Sequence, residues 1–312
     1  MWVINNRKIF YLFSGVLILA SLLSIIFWGL KPGIDFTGGT LIEIQYPNGR
    51  PEQSVVASKL VSIDPRASVR PSGSDEYIVR MKHIDQVEKA TIMEILSVGE
   101  DNVSSGSTEN SPSESLGKPI LKTFDSIGPV LGAEALRKAY VSILLVIIGI
   151  VLFITFAFRK VSEPVSSWKY GLAAIVALIH DVIIPVGVFS VLGHFAGYEV
   201  DTLFITALLV VLGFSVHDTI VVFDRVRENL KNSPSKKPFA EVVGASISQT
   251  FTRSINTSLT TLIALIVLYL FGGSTTEHFS LALIIGIAAG TYSSIFVGSS
   301  LLVTIEKWGR KK

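Results

Sequence analysis

The sequence predicts a membrane-embedded α-helical bundle of six helices, with one small α+β domain inserted between the first and the second helix. Three observations predict this fold class. The mean hydropathy is +0.55 and only 17% of the residues are charged, whereas soluble domains carry about 25% charged residues. Six apolar runs reach or approach the roughly 20 residues that a helix needs to cross a bilayer. A polar stretch of domain size separates the first two runs.

The six apolar runs define the expected spans and divide the chain. They cover approximately residues 9–30, 139–158, 170–192, 202–223, 255–271 and 279–305. The first run is longer than the apolar core of a typical secretory signal peptide, so we expect an uncleaved anchor. We therefore expect an anchor at residues 1–30, a polar domain at 31–138 and a five-helix membrane domain at 139–312.

The distribution of lysine and arginine predicts the orientation, because these residues concentrate in short cytoplasmic loops. They occur near both chain ends, between the second and third runs and after the fourth run, but they are absent from the short loops 193–201 and 272–278. We therefore expect both termini and a loop at residues 224–254 to be cytoplasmic. The polar domain is then extracytoplasmic, and the chain is a multi-pass protein of the cell (inner, cytoplasmic) membrane.

Hydrophobic periodicity predicts six elements in the polar domain. The alternation of "TLIEIQY" predicts a strand, and "PEQSVVASKLVSI" predicts a helix with Pro51 in its first turn. "ASVRP" and "EYIVRMKHI" predict a hairpin, "IDQVEKATIMEILSV" a second helix, and "FDSIGPVLG" a last strand that leads back to the membrane. This β-α-β-β-α-β order is typical of a ferredoxin-like domain. Residues 99–117 are polar and of low complexity, and we expect them to form a surface loop.

Charge and composition argue against several functional classes. The net charge of +2 gives no support for nucleic-acid binding, and the absence of cysteine excludes disulfides. Cysteine and histidine show no metal-ligand spacing, so we expect no metal and no cofactor. The polar domain has no Ser/His/Asp arrangement in its sequence, and its one histidine, His83, has no evident partner there. We therefore do not expect an enzyme.

Three ionisable residues lie within the apolar runs or at their ends. Asp181 is in the third run, Asp218 is in the fourth, and Arg253 is at the start of the fifth. A charged residue deep in the bilayer costs roughly 2.5–3.5 kcal/mol on insertion scales, so each is a candidate functional residue. At 1.5 Å per residue, Asp218 lies about 24 Å and Arg253 about 27 Å from the outer end of its run. We therefore expect these two residues to lie at one level and to pair, with Asp181 nearer the midplane at about 16 Å.

A polar helix face supports a proton relay at this level. Polar residues of the fifth run recur at i, i+4, i+7, i+8 and i+11, and they are Gln249, Arg253, Asn256, Thr257 and Thr260. Such a face must contact protein or a wet cavity rather than lipid. In the fourth run, the polar residues Ser215 and Thr219 flank Asp218. A carboxylate beside a cation in a low dielectric can change its protonation during a conformational cycle. We therefore hypothesise a relay through Asp218, Arg253 and Asp181.

Structural alternatives exist for these residues. An Asp–Arg pair can hold helices together without carrying protons, and Asp181 can satisfy a backbone group near the proline of the same run. His180 and His217 each precede an aspartate but point about 100° away from it on a helix. Packing or interfacial roles are therefore expected for both histidines. Asp224 and Arg225 are expected to form a solvated pair at the end of a helix.

The stretch "GIDFTGGT" follows the first apolar run. A phosphate-binding loop follows a strand and opens a helix, whereas this stretch follows a membrane helix and opens a strand, so we exclude that reading. Pro32 and Gly33 end the helix, while Gly38 and Gly39 permit a positive φ or close backbone packing. We interpret these four residues as the joint between the anchor and the polar domain. Between a rigid elbow and a hinge, we favour the hinge.

The chain resembles the SecF family of protein-export membrane proteins, which is related to the RND transporter superfamily. The resemblance is carried by "GIDFTGGT", "IGPVLGAEAL", "ALIHDVIIPVG", "VLGFSVHDTIVVFDRVREN", "QTFTRSINTSLTTL", "YLFGG" and "FSLALIIGIAAGTYSSIFVGSSLL". These segments extend from about Lys31 to the C-terminus. Each segment is weak evidence alone, but together they are specific.

The resemblance implies a six-span subunit that works with a SecD-like partner, which supplies the other pseudo-symmetric half. Such a complex is expected to use the proton gradient to pull or release preproteins after they pass a SecY-type channel. The family's intramembrane acidic residue falls on Asp218 and its basic residue on Arg253, and the HD pair of the third span falls on His180 and Asp181. A further acidic residue belongs to the SecD half, so the proton path is incomplete on this chain. Sodium is the alternative coupling ion.

Two other functions compete with protein export. An RND-type exporter of small molecules or lipids would usually carry both six-span halves and two exported domains on one chain, whereas this chain has one of each. A scaffold that only stabilises a translocation channel would not need Asp218 and Arg253 at one depth. We therefore expect a SecD-like subunit, a SecY-type channel, preproteins and the lipid bilayer as partners, and no nucleic acid.

Overall fold

The structure, a computed structural model, describes residues 1–47, 49–96, 119–157, 167–232 and 237–310. The loop predicted at residues 99–117 lies outside these ranges. The chain forms two compact units. We call residues 1–31 with 139–312 the membrane unit, and residues 32–138 the sheet unit.

Within the described residues, six helices are long and apolar enough to cross a membrane. After a short α1 (Trp2–Asn5), they are α2 (Arg7–Trp28), α6 (Pro129–Ala157), α7 (Ser167–Phe195), α8 (Thr202–Asn232), α9 (Phe239–Phe271) and a last helix. The last helix consists of α10 (Ser274–Tyr292), a π-helical segment (Ser293–Gly298) and α11 (Ser299–Arg310). The six-helix part of the predicted fold class is confirmed.

Two predicted boundaries are wrong. The loop predicted at residues 224–254 is helical over most of its length, because α8 continues to Asn232 and α9 begins at Phe239. Hydropathy detects only the apolar part of a helix, whereas ion pairs such as Arg227–Asp224, at 3.0 Å, continue α8 beyond it. The "PVLG" predicted to belong to a strand instead opens α6, since proline is favoured at the first helical position.

The sheet unit has the predicted β-α-β-β-α-β order. Its elements are α3 (Ile34–Thr37), β1 (Gly39–Gln45), α4 (Gln53–Val61), β2 (Ser68–Ser72), β3 (Glu76–Met81), α5 (Gln86–Leu96) and β4 (Ile120–Ile127). The described strands form one sheet in the order β2-β3-β1-β4, and every neighbouring pair is antiparallel. The α+β part of the fold class is therefore confirmed, while the single turn of α3 is absent from the prediction.

The core of the sheet unit lies between one face of the sheet and the helices α4 and α5. Its buried residues include Ile42, Ile44, Val56, Leu60, Val79, Ile92 and Leu96. Two buried tyrosines satisfy their hydroxyl groups on backbone carbonyls. Tyr46 donates to Leu96 O at 3.1 Å, and Tyr77 donates to Pro51 O at 2.6 Å. Burial, with a smaller effect of Tyr77, raises the pKa of Tyr46 to about 12.

The adjacent glycines Gly38 and Gly39 pack closely on backbone atoms of the sheet unit. Their φ angles are +71° and +130°. A Cβ on Gly38 would lie 2.7 Å from Cα of Pro129, and one on Gly39 would lie 2.8 Å from the carbonyl oxygen of Met81. This packing holds the two glycines within the sheet unit. The hinge assignment of Pro32, Gly33, Gly38 and Gly39 stays a prediction.

Small residues hold α2 against α7 in the membrane unit. Ser24 donates to Gly187 O at 3.0 Å, and Ser190 donates to Ser24 O at 2.8 Å and to Gly29 O at 2.7 Å. A Cβ on Gly187 would lie 2.5 Å from Cα of Ser21. Close approach through small residues, with hydroxyl-to-backbone bonds, is a common way for membrane helices to pack. This contact fixes the first helix on the helix that carries Asp181.

Candidate functional site

A polar cluster lies in the interior of the membrane unit, among α7, α8, α9 and the last helix. Its buried members include His180, Asp181, Ser215, Asp218, Thr219, Ser254, Ser293 and Ser294. Apolar residues around it include Leu178, Leu212, Val216, Phe223 and Ile295, all buried. Since lipid-embedded interiors offer little solvation, the contacts within this cluster decide what its charged groups can do.

Asp181 is the centre of the most complete set of hydrogen bonds in this cluster. Its Oδ1 lies 2.8 Å from Nδ1 of His180. Its Oδ2 accepts hydrogen bonds from the hydroxyls of Ser215, with a short contact, and of Ser293 at 2.8 Å. Gly290 leaves room for these groups, because a Cβ there would lie 3.1 Å from Cβ of Ser215. Helices α7, α8 and the last helix thus meet at one carboxylate.

The π-helical segment brings two consecutive serines to this cluster. Ser293 donates to Asp181, while Ser294 exchanges a 2.8 Å hydrogen bond with Thr219. Ser299 donates to Ser294 O at 2.8 Å and thereby satisfies a carbonyl within the segment. Single π turns that interrupt α-helices frequently lie at functional sites. Here the wider turn places both hydroxyls against α7 and α8.

Asp218 is buried but incompletely paired. Its Oδ2 has no hydrogen-bond partner among the described residues, and neither does Oγ of Ser254. The two side chains approach each other, but their geometry falls short of a hydrogen bond. Ser215 lies one helical turn before Asp218 and donates to Asp181. The two intramembrane carboxylates are therefore linked through one turn of α8.

The predicted pairing of Arg253 with Asp218 is not formed within the described residues. Ser254 of α9 faces α8 and is buried, whereas Arg253 is exposed. Successive residues of a helix are rotated by about 100°, so the two side chains point in different directions. The depth estimate places Asp218 and Arg253 along the membrane normal, but it does not fix the rotation of α9.

The predicted polar face of α9 is exposed along its length. Gln249, Arg253, Asn256, Thr257 and Thr260 are all exposed in this chain. Gln249 accepts hydrogen bonds from Arg225 at 2.6 Å and from Asn229 at 2.9 Å. Only 11% of the apolar stretch of α9 is buried, against 50% of the apolar stretch of α8. The polar face therefore forms an open lateral surface of the membrane unit.

Several members of the cluster are missed by reasoning from the sequence. His180 is interpreted there as a packing residue, yet it contacts the carboxylate of Asp181. Ser254, Ser293 and Ser294 give little signal, because serine is common in membrane helices. The run "TYSSIFVGSS" in the last span, with four serines, is the one sequence feature that could have indicated them. In the part of the chain that the structure describes, no group of three or more His, Cys, Asp or Glu residues could hold a metal ion.

Comparison with known proteins identifies the family to which the chain belongs. Residues 110–308 match the family model of the protein export membrane protein SecD/SecF, C-terminal, and residues 24–46 match that of the SecD/SecF GG motif. The protein translocase subunit SecF of Thermobaculum terrenum is 42% identical over 97% of this chain and 93% of its own length. The chain belongs to the SecF branch of the SecD/SecF family. SecF of Synechocystis sp. is 33% identical over 97% of this chain.

Longer SecDF chains contain a SecF-like part. The SecDF subunit of Bacillus subtilis is 32% identical to this SecF-family chain over 95% of the chain and 37% of its own length. The crystal structure of SecDF from Thermus thermophilus, a translocon-associated membrane protein, superposes with a TM-score of 0.78 at 28% identity. A SecDF structure in a super-membrane-facing form gives a TM-score of 0.66 at 29% identity. The chain spans 38% and 39% of these two solved chains.

The family assignment decides between the competing functions. SecF proteins are translocase subunits in protein export, so this chain is a multi-pass membrane protein of that process and not an enzyme. The alternative of an exporter for small molecules or lipids is set aside. The match to the SecD/SecF C-terminal family model contains Asp181, Asp218 and Arg253. The match to the GG-motif model contains Gly38 and Gly39.

Proposed function

We propose that this SecF-family chain uses the proton gradient, together with a SecD-like partner, to promote late steps of protein export. The observation that carries the proposal is Asp218, a buried carboxylate inside a membrane-embedded bundle, one oxygen of which has no hydrogen-bond partner in the described part of the chain. Fused SecDF relatives support a SecD-like partner, since both halves occur there on one chain. A SecY-type channel and preproteins are the further partners that this function requires.

Asp218 is the proposed proton carrier. A charged carboxylate inside the bilayer is costly unless it is paired, so its charged and neutral forms favour different surroundings. Ser254 of α9 approaches Asp218, and the next residue of α8, Thr219, bonds Ser294 of the last helix. A change in the charge of Asp218 therefore shifts the balance between two arrangements of α8, α9 and the last helix.

Arg253 and the polar face of α9 are the proposed surface for the SecD-like partner. A cation and several polar side chains cannot face lipid without cost, so protein or water must cover them. An acidic residue of the partner then completes the relay, as the family resemblance implies. Asp181 is the third charged group of the proposed relay.

The proposed orientation puts both termini in the cytoplasm and the sheet unit outside it, in the cell membrane. The absence of cysteine allows this orientation to be tested with single introduced cysteines. Ala196→Cys, in an exposed loop, is expected to react with a membrane-impermeant maleimide from outside intact cells. Glu228→Cys, on the extension of α8, is expected to react only after the membrane is opened. The reverse pattern would contradict the orientation.

Export measured in membrane vesicles tests the role of Asp218. The full chain is co-expressed with its SecD-like partner, and secretion of a reporter preprotein is followed with and without an imposed proton gradient. Asp218→Asn and Arg253→Met are expected to abolish the gradient-dependent part of export. Asp224→Asn is the matched control, because Asp224 is exposed on the same helix and pairs with Arg227. Unchanged gradient-dependent export in Asp218→Asn would refute the proposal.

Cross-linking tests the partner surface independently. Asn256→Cys lies on the exposed polar face of α9, and Val176→Cys lies on an exposed part of α7 as a control. A thiol-to-thiol cross-linker is expected to join Asn256→Cys to cysteines introduced into the membrane helices of the SecD-like partner, and to leave Val176→Cys unreacted. Equal yields at the two positions would contradict the assignment of this face.

A further inference from the structure

A histidine nitrogen without a partner lies next to Asp181. The side chain of His180 is buried, and its Nδ1 contacts Oδ1 of Asp181 at 2.8 Å. Its Nε2 is also buried and has no hydrogen-bond partner among the described residues. Its ring stacks on the ring of Tyr292, with centroids 6.1 Å apart and planes inclined by 25°. Because unpaired buried polar groups are costly, a histidine that only packs should have both nitrogens satisfied.

The charge of Asp181 needs compensation. Its other two partners, Ser215 and Ser293, contribute neutral hydroxyl groups. Arg253 is exposed on α9 and forms no ion pair with Asp181 within the described chain. The ring of His180 is therefore the group in contact with Asp181 that can carry a positive charge. A proton bound by His180 makes the pair neutral, and loss of that proton leaves a single negative charge.

We propose that His180 and Asp181 form a second proton-binding site of the membrane unit, which takes up and releases one proton at Nε2 of His180. Two ionisable groups in direct contact bind protons as a unit, so the site is the pair rather than either residue alone. Asp181 accepts from Nδ1 and thereby orients the ring with Nε2 away from the carboxylate. The proposal rests on the proposed function, because it adds this site to the one at Asp218.

The groups that face this pair come from each helix packed on α7. Helix α8 contributes Asp218, one turn from the Ser215 that bonds Asp181. Helix α10 contributes Tyr292, whose hydroxyl donates to Phe10 O of α2 at 3.0 Å and accepts from Ser14.

Helix α2 also packs on α7, but its Arg7 donates to Ile4 O and its Tyr11 shares a hydrogen bond with Thr304, so both bond elsewhere. Within the described residues, the last helix beyond Tyr292 brings no charge to the pair. The π-helical segment contributes the hydroxyl of Ser293. The buried acid of α11, Glu306, lies about 20 Å farther along the last helix than Ser293. Asp218 is therefore the charged group that interacts with the pair. Like charges at short range in a low-dielectric interior disfavour each other, so we expect the two sites to hold their protons in a coupled way.

Nitrogen-15 NMR of the histidine rings tests the proposal directly. The full chain, with its SecD-like partner in lipid nanodiscs, contains five histidines, and single substitutions assign their signals. Across the pH range in which the complex stays folded, the ring of His180 is expected to show both its neutral and its doubly protonated form. Asp181→Asn is expected to remove the doubly protonated signal of His180 in this range. A single protonation state of His180 throughout the range would overturn the proposal.

Export with an imposed proton gradient supplies the functional test. In His180→Asn, the amide nitrogen keeps a donor near Nδ1 for Asp181 but binds no proton, and we expect loss of gradient-dependent export. His217→Asn is the matched control, since His217 also precedes an aspartate but is exposed. If His180→Asn keeps gradient-dependent export while Asp218→Asn loses it, the second site is refuted and the proposed function stands. If His180→Asn loses it while Asp218→Asn keeps it, the assignment of Asp218 fails instead.

Discussion

Replacement of Gly38 by alanine tests the close backbone packing of this glycine within the sheet unit. Gly38 has a φ of +71°, and an added Cβ would lie 2.7 Å from Cα and 2.9 Å from N of Pro129. Both neighbouring atoms belong to the backbone, so no side-chain rotation can relieve the contact. Alanine at this position therefore meets a conformational penalty and a packing penalty at once.

The two penalties can be estimated separately. Gly38 has φ +71° and ψ +167°, a region used almost only by glycine, where a residue with a Cβ costs about 1–3 kcal/mol. An extra methyl group in a well-packed site costs about 1–3 kcal/mol. We therefore expect Gly38→Ala to reduce the free energy of unfolding of the sheet unit by about 2–6 kcal/mol in total.

Gly73 provides the matched control for this estimate. Its φ is +56°, but nothing lies within 4 Å of an added Cβ. Gly73→Ala therefore carries the conformational penalty alone, about 1–2 kcal/mol. Amide hydrogen exchange of β1 and β4 in the full chain measures both changes, since these strands pair with each other next to the joint. Equal losses of protection in the two variants would refute the packing argument.

Two further predictions concern helix contact and pH dependence. Ser190→Ala removes the hydroxyl whose single proton is shared between the carbonyl oxygens of Ser24 and Gly29 at the end of α2, and it is expected to cost about 1 kcal/mol. Gly187→Ala forces α2 outward and should cost about 1–3 kcal/mol. Thermal unfolding in detergent ranks the two variants, and a milder effect of Gly187→Ala would contradict the packing. Burial raises the pKa of Tyr46 from 10.0 to about 12, so its stabilising effect is complete below about pH 10 and is lost as the pH rises through about 12. Urea unfolding followed by circular dichroism should show a weaker pH dependence in Tyr46→Phe over this range, and identical profiles would contradict it.

The sequence determines the number of spans and the strand pattern of the sheet unit. An apolar run long enough to cross a bilayer and an alternation such as "TLIEIQY" are local properties, so they can be read without knowledge of the neighbours. The same holds for the positions of Asp181, Asp218 and Arg253, because a charge within an apolar run is visible in the sequence itself. Helix ends are read less well, since α8 and α9 continue in charged residues beyond the apolar core.

Only the tertiary structure decides which side chains meet. The rise of 1.5 Å per residue places Asp218 and Arg253 at one depth, but packing against α8 turns Ser254 inward and leaves Arg253 exposed. The inward turn of Ser293 and Ser294 occurs in a π turn that no pattern in the sequence predicts. The contact of His180 with Asp181 depends on side-chain orientations within α7 that the sequence does not give. Depth follows from counting residues along one helix, whereas the rotation of a helix and its side-chain partners depend on all the helices packed around it.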